Sequence, residues 1–399
     1  MSKGEYLAKC KQIAISCIHR FVVVLLLGAI SWLMMVALPN WSLLDPLSRS
    51  FDSFSFTDFY YSLYRNSDEA KPNDRIVIID VSNKTRGEIA TTIESVVSCT
   101  PVVVGIDIIF DRPTGDTIGT RMLCESIARN AEHLVAIGKL TGYDVETDQF
   151  AGLSESLLDT IQVGRGYSNL KNIGEGGFVR DYTVARYVAG DTLFSLSSTL
   201  ACRYMSAFGG ASIAADEPDG VIHFIPQEFT IISADSVAGH RDDIAGRIVL
   251  MGNINSEEDR HYTPLGDMNG TLIHAYAIDT MIDNPTRSMA RHWVALIEIL
   301  LLLLFVALYW SIFDACEKNE RKVLLAVINW IYPVASAVLI IFLSGWLFIS
   351  SHCYISPIIL LASMALLPNM VELYIASKDK LLQNIQQLFA KLTTKKQKQ

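Results

Sequence analysis

Two aspartates sit in apolar runs. Asp80 ends RIVIID (75–80), and Asp107 lies in the middle of PVVVGIDIIFD (101–111). A buried carboxylate is costly unless it is paired or hydrogen-bonded. In open parallel sheets, ligands gather beyond the carboxyl ends of the strands, which makes Asp80 and Asp107 ligand-binding candidates at the ends of two adjacent strands. The plainer and favoured reading is that each carboxylate caps a following helix or holds a loop amide. Carboxylate-based phosphoryl transfer wants a second acid two residues on. The sequence reads Asp80-Val81-Ser82 instead.

A second polar group, EEDRHYTP (257–264), supplies Asp259 and His261 as ligand-binding candidates. A metal would need further donors such as His240 or His274. No ligand spacing of the HxxxH kind is present, so no metal is expected, and the segment reads as a polar loop. GEGG (174–177) is not followed by Lys-Ser/Thr and reads as a hairpin turn rather than a phosphate cradle. No GxSxG and no compact nucleophile arrangement is legible, and no cofactor is expected. Glu298 falls inside an apolar run, where an acid faces a partner or a cavity, or snorkels to the interface.

These residues must be positioned by regular elements. RIVIID, VVVGIDIIF (102–110), HLVAIGKL (133–140) and GRIVLMGN (246–253) are near-continuous apolar runs. SNKTRGEIATTIESVVSC (82–99), with Ser82 or Asn83 as its cap, and MLCESIARN (122–130) are helical. Buried strands alternating with helices predict an α/β domain with a mainly parallel sheet covered on both faces. Beyond it, 165–188 reads as two strands joined by the Gly-rich turn. DTLFSLSSTLACRYMSAF (191–208) reads as a helix, VIHFI (221–225) as a short strand and TLIHAYAIDTMID (271–283) as a helix. Phe54, Phe56, Phe59, Tyr60 and Leu63 predict a short amphipathic helix. Cys99, Cys124 and Cys202 leave room for at most one disulfide.

Four further runs approach the roughly 20 apolar residues of a bilayer crossing: 21–38, 292–313, 323–343 and 346–367. The last two predict a tight hairpin turning near Ser344-Gly345, with Pro333 and Pro357 as kink sites. The run at 21–38, behind a basic leader (1–20), reads as an uncleaved anchor because no small-x-small cleavage site follows Leu38. Residues 39–291 carry 20 Lys+Arg against 35 Asp+Glu, and the remainder 13 against 7. The positive-inside bias therefore puts both termini and the 314–322 loop in the cytoplasm, with 39–291 outside. An acidic outer domain argues against nucleic-acid binding. In the basic tail (368–399), Leu381, Ile385, Leu388 and Leu392 continue a heptad-like seam broken by Lys378. It predicts a coiled coil or partner helix, with an amphipathic helix on the inner leaflet as the alternative.

Several blocks carry a resemblance in a fixed order: RIVIIDVSNKT, VVGIDIIFD, GYSNL, GGFVRDYTVARYV, LFSLSSTLA, FTIISADSVAGH, GRIVLMGN, DRHYTPLG and LIHAYAIDTMI. Over 60–283 the chain resembles the CHASE domain of the second type, an extracytoplasmic sensory module of bacterial signalling receptors. The arrangement of one N-terminal span and three C-terminal spans is also similar. GYSNL adds Asn169 to the ligand-binding candidates. The family's hairpin usually carries Asp-x-Asp-Gly, whereas this chain has Asn172-Ile173-Gly174-Glu175-Gly176-Gly177. Members commonly continue into a cyclase, kinase or similar output domain, and 368–399 leaves no room for one.

The resemblance implies a sensor or regulatory subunit, not an enzyme, anchored in a bacterial inner membrane and relaying a signal to a separate effector. Glu298 and the tail positions are the relay candidates, and homo-oligomers through the transmembrane and tail helices are an expected assembly. The rivals are a scaffold that senses nothing and, less favoured, an extracytoplasmic enzyme using Asp80 and Asp107.

Overall fold

The computed structural model describes residues 18–33, 60–61, 70–111, 115–170, 178–217, 219–283, 291–351 and 357–396. Two compact units divide the chain: Thr57–Ser288, and Met1–Phe56 together with Met289–Gln399.

The first unit is built on six parallel strands: β1 (Lys71–Asp80), β2 (Val103–Asp107), β3 (Leu134–Gly138), β6 (Gly164–Tyr167), β11 (Gln227–Ser233) and β12 (Ile248–Gly252). Their order is β11-β1-β12-β2-β3-β6. The interior strands are Val/Ile/Leu-rich because both faces are covered. One face packs on α2 (Arg86–Ser98) and α3 (Thr117–Arg129), where Ile93, Val96, Leu123 and Ile127 meet Val77, Ile79, Val104, Ile106 and Val249 in one core. The other face carries α4 (Leu196–Ala207) and α6 (Gly270–Asp283). A short α5 (Arg241–Ile244) leads into β12.

The mainly parallel α/β sheet is as the sequence implies, and several local expectations are corrected. β12 lies between β1 and β2, so Asp80 and Asp107 each register on Gly252 and are not on neighbouring strands. Helix α2 is capped by Thr85 through a capping box with Glu88, not by Ser82 or Asn83. Asn83 instead adopts φ 60 in the turn before it, a conformation Asn tolerates. The two strands expected within 165–188 do not pair. β6 joins the parallel sheet, while β8 (Ala185–Val188) pairs with β9 (Asp191–Phe194). The Gly-rich turn lies outside the described residues.

The first four residues of the helix expected at 191–208 are β9, and Ser195 caps the helix that follows. The short strand at 221–225 is reduced to β10 (Gly220–Val221), paired with β7 (Asp181–Tyr182). β4 (Leu140–Asp144) and β5 (Gln149–Leu153) form a hairpin that the sequence reading did not anticipate. EEDRHYTP is not wholly a loop, because β13 (Arg260–Thr263) pairs with β14 (Gly266–Asn269). Cys99, Cys124 and Cys202 are free thiols. Of the amphipathic stretch near residue 60, Tyr60 and Tyr61 are helical and the rest lies outside the described residues.

The second unit contains α1 (Ile18–Leu33), α7 (Arg291–Lys318), α8 (Lys322–Ser351) and α9 (Ile358–Lys396). The last three are long and apolar enough to cross a membrane, over Ala295–Lys318, Lys322–Phe348 and Ile358–Ser377. The turn expected at Ser344-Gly345 is helical, since apolar residues continue past it to Ser351. Pro357 precedes the first turn of α9, where a missing N–H costs nothing, and Pro333 lies inside α8. Val23 and Leu27 of α1 pack with Phe305, Tyr309, Met364 and Leu367 of α7 and α9. Residues 34–38 of the first run lie outside the described residues.

Candidate functional site

The carboxyl ends of β12, β2, β3 and β6 open into a cavity of about 770 Å³. Each strand contributes the residues that follow it: Asn253 after β12, Asp107 to Ile109 at the end of β2, Lys139 after β3, and Ser168 to Leu170 after β6. The opposite wall is the segment around the β13 hairpin, with Glu258, Asp259 and His261, and the start of α6, with Gly270 and His274. Asp107, Asn169, Asp259 and His261 therefore meet in one space, although up to 154 positions of sequence separate them.

Close approach of α6 to the sheet makes this geometry. Gly252 ends β12 where a Cβ would collide with the Thr271 side chain, and Gly270 starts α6 where a Cβ would press into the Asp259 carboxylate. With no side chain at either position, the Thr271 hydroxyl reaches across and donates to Asp107 Oδ2 at 2.7 Å. Asp107 thus ties a strand end to a helix distant in sequence; Asp116 caps α3, and no loop amide among the described residues donates to Asp107. Burial pushes its carboxyl above the usual carboxylate range. His274 and the Thr271 hydroxyl oppose that rise, and the negative charge of Asp259 adds to it.

The other members are held one by one. His261 Nε2 lies 3.3 Å from Asp259 Oδ1. Asn169 Oδ1 accepts from the Leu140 amide at 2.7 Å, fixing β6 to the start of β4. His274 is buried, at 4 % exposure, and its Nδ1 is 2.9 Å from Ser197 Oγ on α4. The sequence reading considered His274 only as a metal donor and passed over Thr271, Ser197 and Lys139. A legible signal was present: Thr271, His274, Asp279 and Thr280 are polar residues in a helix buried nearly all round.

Asp80 is not part of this site. Its Oδ1 accepts from the Ser82 amide at 2.9 Å and from the Ser82 hydroxyl, and Asn255 donates to Oδ2. That is the loop-tying role. Ser197, His274 and Asp107 have the residue types of a hydrolytic triad. However, Ser197 is 3 % exposed and faces a space of about 10 Å³, and Asp107 bonds to Thr271. The hydroxyl therefore lacks the access that an acyl-transfer nucleophile needs. Among the described residues, no group of three or more His, Cys, Asp or Glu is arranged to hold a metal ion.

Helix α6 links the cavity to the opposite edge of the sheet. There Asp279, 8 % exposed, accepts from Asn73 Nδ2 at 2.8 Å and from Gln227 Nε2 at 2.7 Å. Arg75 pairs with Asp283 at 2.5 Å and reaches Asp279 at 3.6 Å. Burial pushes the Asp279 carboxyl up, against those hydrogen bonds. The beginning of β1 and the end of α6 are thereby clasped side by side, next to a smaller pocket of about 350 Å³.

The relay candidates fall in the second unit. Glu298 is half-buried on α7, with no hydrogen-bond partner among the described residues. Positions 381, 385, 388 and 392 lie on α9, which continues as one helix from its apolar part into the tail. Tyr309 donates to Asn329 at 2.7 Å, and Asn329 donates to Glu372 at 2.9 Å, so a polar chain joins α7, α8 and α9.

A parallel α/β unit with a strand-end cavity and, elsewhere in the chain, helices long and apolar enough to cross a membrane define a membrane-anchored α/β protein. The chain matches the family model of the CHASE2 domain over residues 22–310, and it belongs to that family. No curated protein and no solved structure matches it.

Proposed function

We propose that this chain is a sensor or regulatory subunit that registers a small ligand in the strand-end cavity and relays the change to a separate effector protein. It sits in a bacterial inner membrane with both termini cytoplasmic and 39–291 outside, as the charge asymmetry favours. The observation that carries the relay is α6. Its first turns line the cavity through Gly270 and His274, and Thr271 between them bonds to Asp107. Its last turn holds the clasp at Asp279 and Asp283, about 20 Å away by helical rise, and the chain then runs through 284–290 into α7. A ligand that binds two positions of α6 unequally shifts the population between them. The tail segment of α9 offers the effector a helical surface, and a second copy of the chain is the natural partner for the remaining apolar faces.

The test is co-purification of the full chain in mild detergent, with and without Ser168→Trp, which fills the cavity. A sensor predicts that the effector stays bound and its activity changes. An effector whose binding and activity ignore the substitution would leave only a scaffold. A turnover removed by Asp107→Asn would instead make the chain an enzyme.

A further inference from the structure

We infer that the strand-end cavity takes a small organic cation, held through an ammonium or guanidinium group by Asp107 and Asp259. The inference rests on the sensor reading and names the chemistry of its ligand. The volume, about 770 Å³, lies in the range of small-molecule sites. Among the described residues, the lining contributes three carboxylates, Asp107, Glu258 and Asp259, against one lysine, Lys139. The carboxylates gather over β2 and the β13 segment, whereas Lys139 follows β3, one strand further along the sheet.

Two groups on the cavity wall, half-buried Asp107 and buried His274, leave capacity unused. Asp107 spends one oxygen on Thr271, and among the described residues no donor reaches the other. His274, 4 % exposed, is satisfied at Nδ1 by Ser197, while Nε2 has no hydrogen-bond partner among the described residues and the ring borders the cavity. Neither atom is closed off from solvent, since among the described residues Arg20 Nε alone is a fully buried side-chain polar atom without a partner, so both are open to a group bound in the cavity. A carboxylate taken out of water gains most from an opposite charge with N–H donors. Burial also pushes the Asp107 carboxyl upward, with His274 and Thr271 opposing the rise and Asp259 adding to it. An anion would meet three like charges, and the donor geometry for a metal ion is missing among the described residues.

The test is calorimetric titration of the full chain in nanodiscs with putrescine, agmatine and choline, and with acetate and succinate at matched ionic strength. Saturable binding of at least one amine is expected, with no binding of the anions. Asp107→Asn and Asp259→Asn are each expected to weaken it by about tenfold or more, since a charge-assisted bond is lost. Asp242→Asn, on the exposed surface, should leave it unchanged. Circular dichroism establishes that each variant is folded, and Asp259→Asn carries the test if Asp107→Asn is not. Binding of acetate or succinate that is lost in Lys139→Ala would overturn the cation assignment and leave the sensor reading standing. So would the failure of all three amines while Ser168→Trp still alters the effector. An unaltered effector in Ser168→Trp would remove the sensor reading itself.

Discussion

At the scale of single residues, Asp107 is where stability and function pull apart. Its carboxyl is raised by burial and faces His274, Thr271 and Asp259, with Glu258, His261 and Lys139 elsewhere around the cavity. A folded-state pKa above the unfolded one means that the folded chain holds the extra proton between the two values. Stability from this group therefore falls as pH rises through that window and is recovered below it. Asp107→Asn keeps an acceptor for Thr271 and removes the charge. It is expected to raise the Tm of the ligand-free full chain at pH 8 by a few degrees, at roughly 2–4 °C per kcal/mol for a unit of this size. The gain should vanish on acidification, as the wild-type carboxyl takes up its proton. A lower Tm at pH 8, read by circular dichroism, would return Asp107 to a purely structural role.

At the scale of elements, α6 is the part on which site and relay both depend. Its approach to the sheet requires Gly252. Gly252→Val drives a branched side chain into Thr271, with an expected cost of about 1–3 kcal/mol and loss of the Thr271–Asp107 bond. Thermal unfolding of the full chain reads the first, and the amine titration reads the second. At the other end, Asp279→Ala leaves Gln227 Nε2 without its acceptor and Asn73 Nδ2 with only Gln227 Oε1, for about 1–3 kcal/mol. Hydrogen exchange should rise at the start of β1 and the end of α6 together. An effect confined to one of them would mean that the clasp does not couple the two. Arg75→Ala should cost less, because the Asp283 side chain is 46 % exposed and such pairs contribute little.

At the scale of the whole molecule, the reading requires the acidic unit and the basic segments to lie on opposite sides of a membrane. In a cysteine-free background, Asp242→Cys should react with an impermeant thiol reagent added to spheroplasts. Asn319→Cys, in the turn between α7 and α8, should react only after permeabilisation. The reverse pattern would invert the topology. Deletion of 378–399 should abolish effector coupling while leaving the amine titration intact, since the cavity is built wholly from residues before α7.

Much of this was legible along the chain. β1, β2, β3 and β12 are continuous apolar runs because both faces of the sheet are covered. The apolar helices and the charge asymmetry are properties of composition. Edge and surface elements were less visible. β11 is half-exposed, with Ile231 at 48 %, and so lacks a continuous run. The β4–β5 hairpin is largely exposed and shows little apolar pattern at all. Asp107, Asp259 and His261 could be named from their surroundings and Asn169 from the resemblance, and holding a loop amide was already the favoured reading of Asp80, but neither the convergence of the four nor the exclusion of Asp80 from their site could be read. Those outcomes depend on strand order, on β12 entering between β1 and β2, and on two glycines letting α6 close over the strand ends. Local sequence encodes which segments are buried. Only the packed structure decides which distant side chains share the space that remains, because that is set by contacts between elements and not by any residue's neighbours along the chain.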